Sequence, residues 1–241
     1  MYVSVPSMSA KTIESKINKV WKDISKRRGI DYSTTKRYVA SNTDLAKFYF
    51  LVKTHKSGNE VKIRPIVSNV NCPTTKISWL LDKALKPLLD SVEAHTESTN
   101  DLIKRLTSRS PEVKEKYTYP FSLDVVNLFT SIPQEGIVSV IKDLLDQQSY
   151  SFYHLGSEDI IKLLECVLAN NYFMFDGVIY KQRHGLAMGS SVSDILAILY
   201  MGHVETVALR DLGTRVGFYS CLLYTSPSPR DLSTSRMPSS A

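Results

Sequence analysis

The stretch Ser122-Leu123-Asp124-Val125-Val126-Asn127-Leu128-Phe129-Thr130-Ser131-Ile132-Pro133 decides how the rest of the chain is read. Tyr119 to Val126 is a short apolar run of β-formers with one carboxylate, Asp124, set inside it, which predicts a strand. Pro133 and Glu135 then predict the start of a helix. A carboxylate in such a strand is costly to bury unless a cation or hydrogen bonds compensate it. That cost makes Asp124 a candidate metal ligand. Phe129, five residues on, is an aromatic placed where the chain leaves the strand. The same residues also fit a plainer reading, with Asp124 at a strand end and Phe129 in the core, because short patterns match by chance.

Working outward, the 241 residues are 43% hydrophobic, enough for one large or two small domains with a real core. No apolar run reaches the length of a membrane span, and the N-terminus lacks the uninterrupted apolar core of a secretory signal. Cys72, Cys166 and Cys221 are scattered without metal-ligand spacing, which predicts a reducing compartment, nuclear or cytoplasmic, and no zinc site. The charge is uneven. Residues 1–76 hold 15 Lys and Arg against 5 Asp and Glu, a balance of +10, so the other 165 residues carry −4 of the total +6. A basic first third on a near-neutral remainder suggests a polyanion partner, most simply nucleic acid; a solvated helix face fits the first helix equally well.

That first helix is predicted from a Ser9 cap to about Arg28, with Gly29 as its stop. Ile13, Ile17, Val20, Trp21 and Ile24 share one side, and Lys11, Lys16, Lys19, Lys22 and Lys26 lie away from it. Residues 47–67 read as a hairpin: Lys47 to Lys53, a polar turn at Thr54 to Asn59, then Val61 to Val67. Alternation in the second strand puts Lys62 and Arg64 on one face, where two cations could reach phosphates or simply keep an edge soluble. Pro65 predicts an edge or interrupted strand, because it donates no ladder hydrogen bond.

Pro73 begins a helix whose broad apolar face runs from Ile77 to Leu89. A weaker helix passes through Leu102, Ile103 and Leu106. Further helices are predicted over Gln134 to Gln147, from Ser157 and Glu158 to Asn170, and through Ile195, Leu196, Leu199 and Tyr200. Asp176-Gly177 between two apolar runs is a two-residue hairpin signal. Before the last helix comes Lys181-Gln182-Arg183-His184-Gly185-Leu186-Ala187-Met188-Gly189-Ser190-Ser191, whose glycines let backbone approach a flat ligand closely. A plain turn is the alternative. It is not a P-loop, since no Gly-Lys-Ser/Thr follows at the required spacing, and His184 has no identifiable paired nucleophile.

Three features in this order, a Lys/Arg hairpin, an Asp-x4-Phe strand and a Gly-Leu-Ala-Met-Gly-Ser turn before a helix, resemble a reverse transcriptase, most nearly that of Penelope-like retroelements. The carriers are Phe50 to Lys56, Arg64-Pro65-Ile66-Val67-Ser68, Leu123 to Pro133, and Gly185-Leu186-Ala187-Met188-Gly189-Ser190. The resemblance spans about residues 45–205, and the ordered set is far more specific than any one piece. It implies an α+β right-hand polymerase, with fingers and a partial, antiparallel palm sheet packed by helices. It divides the chain into a basic helical region at 1–44, a fingers-like region at 45–118 and a partial palm at 119–220.

The resemblance also assigns roles. Asp124 would be the first metal-binding and catalytic aspartate, helped by the carbonyl of Val125. Lys62 and Arg64 would hold the incoming triphosphate, and Phe129 would bar a ribose 2′-hydroxyl. Gln182 and Gly185 would face the nucleotide; Met188, Gly189 and Ser190 would lie under the template–primer. Two Mg²⁺ ions would serve the transfer, and the partners would be an RNA template, a DNA primer and deoxynucleoside triphosphates, with no membrane and no obligate protein partner.

Departures matter as much. The family's prolines near Ser191 and Asp194 are missing. Its aromatic-x-Asp-Asp hairpin is missing too, and no Asp-Asp pair occurs anywhere; Asp194 and Asp211 are isolated. The thumb and the GIY-YIG nuclease domain common in such elements are not represented. Residues 221–241, opening Cys221-Leu222-Leu223-Tyr224-Thr225-Ser226-Pro227, look like a translated sequencing adapter or a disordered tail, and play no part in the fold expectation. The reading is therefore a fragment of an RNA-directed DNA polymerase. The alternative is a catalytically inactive nucleic-acid-binding remnant that lacks the second Asp pair. A third reading is a mis-assembled frame with no stable product.

Overall fold

The computed structural model describes residues 1–5, 7–52, 63–117, 119–147 and 150–223. Lys62, the predicted turn at 54–59 and most of the 221–241 tail lie outside them. The chain opens with β1 (Tyr2–Ser4), α1 (Ala10–Arg28) and α2 (Tyr32–Tyr38). There follow β2 (Ala46–Val52), β3 (Ile63–Ser68) and α3 (Thr75–Leu85), then a 3₁₀ turn, Lys86–Ser91. Next come α4 (Thr99–Thr107), α5 (Pro111–Lys116), the single turn α6 (Leu128–Ser131) and α7 (Gln134–Gln147). The chain continues through β4 (Ser151–Phe152), β5 (Leu155–Gly156), α8 (Ser157–Ala169), β6 (Tyr172–Phe175), β7 (Val178–Gln182) and α9 (Ser193–Leu212).

Two compact units result. One comprises Met1–Leu88 with Val125–Tyr200; the other comprises Leu89–Asp124 with Met201–Ala241. The first holds a five-stranded sheet in the order β1-β7-β6-β2-β3. Every neighbour is antiparallel except β2 and β6, which run parallel with Ala46 opposite Phe173. The architecture is α+β as expected, but the sheet is mixed and not purely antiparallel. The reason lies in the connection: β2 and β6 are far apart in sequence, and intervening helices provide the crossover that parallel neighbours require. β3 is an edge strand, which suits Pro65.

Local chemistry explains the elements. Ser9 Oγ accepts from the Thr12 amide at 3.2 Å, and Gly29 closes α1 in the left-handed region at φ 64°. Ile13, Ile17, Trp21 and Ile24 are buried while the five lysines between them are exposed. The buried Asp159 carboxylate caps α8 by accepting from the Gly156 amide at 3.1 Å, and also receives Arg27 and Arg28 of α1, the latter at 2.6 Å. Beneath the sheet, Ala46, Val67, Cys72, Phe173 and Ala187 form one apolar cluster, with Tyr2, Phe48 and Tyr180 packed on it. Asp176 and Gly177 both take positive φ, as a two-residue hairpin demands.

The expected strand at Tyr119 to Val126 does not form. Residues 119–125 are irregular, and Tyr119, Phe121, Leu123 and Val126 are exposed. Apolar β-formers extend stably only where a neighbouring ladder satisfies their backbone groups, and no described strand pairs with them. In the second unit Ser98 caps α4 and Ser110 caps α5, with Pro111 at its first position. The segment after α9 meets residues 94–96 through one isolated bridge, His95 with Cys221.

Candidate functional site

The turn from Gly185 to Ser190 organises the site. Leu186 and Ala187 are buried, so the turn is anchored from within. The Leu186 amide donates to the Phe129 carbonyl at 2.6 Å, and Gln134 Nε2 donates to the Gly185 carbonyl at 3.0 Å. On its other side the Val67 amide donates to the Met188 carbonyl at 2.8 Å, docking the turn on the β3 edge. Both glycines are required there. Gly185 has φ 77°, and a Cβ would lie 2.8 Å from the Phe129 carbonyl oxygen; Gly189 has φ 125°, and a Cβ would lie 2.4 Å from that of Val67.

Phe129 sits in α6, a turn launched by Asn127 in the left-handed region at φ 55°. The Asn127 carbonyl accepts from the amides of Thr130 and Ser131, both at 3.1 Å. Asn is among the few residues that adopt this conformation readily, a signal that the reading of the sequence did not use. The arrangement leaves a cavity of about 390 Å³ lined by Arg64, Pro65, Val125, Phe129 and Met188 among others. Three sequence segments separated by more than fifty residues each therefore meet at one place.

Of the expected site residues, Arg64, Val125, Phe129 and Met188 line the cavity, and Gly185 and Gly189 hold the turn beside it. Arg64 is exposed, and among the described residues no carboxylate pairs with it. Gln182 is 1% exposed in β7; its Nε2 donates to the His184 carbonyl at 3.1 Å, and its Oε1 has no partner among the described residues. Ser190 is likewise buried with an unpartnered hydroxyl. Asp124, the residue before Val125, is exposed in irregular backbone. Among the described residues no three His, Cys, Asp or Glu side chains gather as metal ligands. One carboxylate does not fit the pair of Mg²⁺ ions that the resemblance implies. Sequence reasoning missed Met1, which also lines the cavity, and Gln134, whose bond to the turn no pattern announces.

No family model matches the chain. It is 24% identical over 157 residues to "Telomerase reverse transcriptase" of Takifugu rubripes, a match covering 63% of this chain and 14% of that relative. The likeness is a weak homology to a reverse transcriptase, and nothing in it singles out Penelope-like elements. The chain spans about a seventh of that relative's length. A solved structure titled apo telomerase from Candida Tropicalis, truncated from the C-terminal domain, overlaps with a TM-score of 0.47 at 11% identity, covering 68% of this chain and 39% of that one. That overlap is too slight to carry an argument.

Proposed function

We propose that the chain is part of an RNA-directed DNA polymerase of a retroelement, contributing a nucleotide-binding corner and a basic surface for nucleic acid. The observation that carries this reading is the convergence of Arg64, Phe129 and Met188 on one cavity through the Val67–Met188 and Leu186–Phe129 hydrogen bonds. In this reading Lys62 and Arg64 receive the triphosphate, Phe129 faces the sugar, and the Gln182 to Ser190 segment supports the nascent pair and the template–primer. Asp124 and the Val125 carbonyl are the chain's contribution to a metal site. A Mg²⁺ pair, which would supply Lewis-acid chemistry, would need carboxylates beyond Asp124 to hold it. The donors described here account for binding and positioning, not for the bond-forming step.

The same single carboxylate favours a second reading, an inactive remnant that still grips RNA or a hybrid. Two binding measurements test both readings, and primer extension separates them. Affinity for an RNA–DNA hybrid is expected to fall on the order of a hundredfold between about 50 and about 200 mM salt, as for roughly four neutralised phosphates. Arg64→Ala is expected to leave hybrid affinity nearly unchanged, since Arg64 is assigned to the triphosphate. A salt-insensitive affinity, or one that collapses on that change, contradicts both readings. Primer extension clearly above an Asp124→Ala control would exclude the remnant.

A further inference from the structure

In the first unit, and sharing no lining residue with the cavity at Arg64 and Phe129, α2 and α3 bring together an aromatic pair with cations over it. Tyr38 and Trp79 stack with centroids 6.3 Å apart and planes 28° from parallel. Tyr38 is the inner leaf at 9% exposed; Trp79 is the outer one at 41%. The Arg37 guanidinium lies 5.8 Å from the Trp79 ring centre and the Lys83 ammonium 5.6 Å from it. Beside them is a hollow of about 260 Å³ reached by Thr75 and Lys76. Lys76 Nζ is fixed by donating to the Val39 carbonyl at 2.7 Å. Asp82 is next to Lys83 on α3; burial raises its pKa, and Lys83 and Lys86 oppose the rise.

Two features of this patch ask for a ligand. A large indole left exposed at a hollow is apolar area without a cover, whereas the chain's other tryptophan, Trp21, is 1% exposed and donates to Thr35 O at 2.9 Å. Arg37, Lys76 and Lys83 form no ion pair within 4 Å among the described residues, and with Asp82 acting on Lys83 alone of the three the surround of the ring is net positive. A base stacked on an aromatic face with phosphates on flanking cations matches both features, and it tolerates any sequence because every base has a π-face.

We propose that Trp79, with Arg37, Lys76 and Lys83, is a stacking site for single-stranded RNA, separate from the cavity at Arg64 and Phe129. The assignment of RNA rests on the polymerase reading, in which the unpaired strand is the template. The site takes one or two bases on Trp79 and their phosphates on the cations.

Tryptophan emission tests it, because Trp79 is the exposed member of the pair of tryptophans. Titrating the full chain with a 12-nucleotide oligo(U) is expected to quench emission at the exposed, red-shifted edge. Trp79→Ala should weaken oligo(U) binding roughly tenfold, measured by anisotropy of a labelled strand, and Trp79→Phe should recover most of it. Trp79→Leu, which keeps apolar bulk without a π-face, should bind like the alanine variant. Melting curves identify any variant that fails to fold, and in that case quenching of the unmodified chain decides. No quenching, equal binding by the leucine variant, or binding of oligo(dT) alone would each overturn the proposal. Hybrid affinity distinguishes the two levels. If salt-dependent hybrid binding persists while oligo(U) leaves Trp79 untouched, the stacking site is wrong and the polymerase reading stands. If hybrid binding is absent as well, the polymerase reading has failed.

Discussion

Gly189 and Val67 are in such close contact that no side chain fits between them: a Cβ on residue 189 would sit 2.4 Å from the Val67 carbonyl oxygen. The Val67 amide meanwhile bonds to Met188, so the strand edge grips the turn on both sides of one peptide. Gly189→Ala must displace backbone and adopt φ 125°, a region closed to alanine. It is expected to destabilise the fold by about 3 kcal/mol in urea denaturation. Gly177→Ala is the control. That glycine has φ 73° with nothing within 4 Å, so the cost should be about 1 kcal/mol. Equal losses at the two positions would mean that the turn is not docked on β3.

The Asp159 carboxylate is buried, and its oxygens serve Arg27, Arg28 and the Gly156 amide. Asp159→Ala strips the cap of α8 and leaves two guanidinium groups without an anion. A loss of roughly 2–4 kcal/mol is expected, at the lower end because both arginines reach solvent. A double-mutant cycle with Arg28→Ala should give a coupling of about 1–2 kcal/mol. Additive losses would assign the effect to the cap alone.

Burial, with Asp44 nearby, pushes the Cys72 thiol up to about 11. The ordinary value for the thiol, taken for the unfolded chain, is 9.0. Between those values the unfolded chain has released the proton that the folded chain still holds, so stability falls as pH rises through this window. The loss should approach roughly 2 kcal/mol near pH 11 and be absent below about pH 8. Cys72→Ala is less stable at neutral pH but should fall less steeply above it. Parallel denaturation curves for the two proteins at every pH would refute the assignment.

For a polymerase chain that carries an aromatic-x-Asp-Asp hairpin and a thumb, Phe129 offers a test of sugar selection. A ring facing the incoming sugar discriminates by clash and needs no extra attraction for deoxyribose. Phe129→Ala is expected to raise ribonucleotide incorporation while changing deoxyribonucleotide incorporation much less. Asp124→Asn should abolish both. Joint loss of both activities in the Phe129 variant would make that residue structural.

Much of this architecture was legible because it is local. The Ser9 cap, the Gly29 stop, the bounds of the helix from Gln134 to Gln147 and the Asp176-Gly177 turn all depend on neighbours within a few residues. The segment around Asp124 misled for the opposite reason: Tyr119 to Val126 has the composition of a strand, but a strand exists only with a partner, and composition does not supply one. The parallel pairing was invisible as well, since nothing near Ala46 names Phe173. The site was half legible. Its glycines and Phe129 stood out, whereas Gln134 and Met1 enter through contacts that no spacing encodes.

The pairing of Ala46 with Phe173 also sets a timetable. β2 leaves the ribosome 127 residues ahead of its parallel neighbour, and at roughly 5–20 residues per second that is a wait of about 6–25 s. The hairpin with β3 can close during this interval, but Phe173, on which Phe48 stacks with centroids 5.3 Å apart, has not yet been made. The nascent chain therefore carries an open aromatic edge until β6 emerges. Its yield in a cell should depend more on chaperone capacity and translation rate than its final stability would indicate.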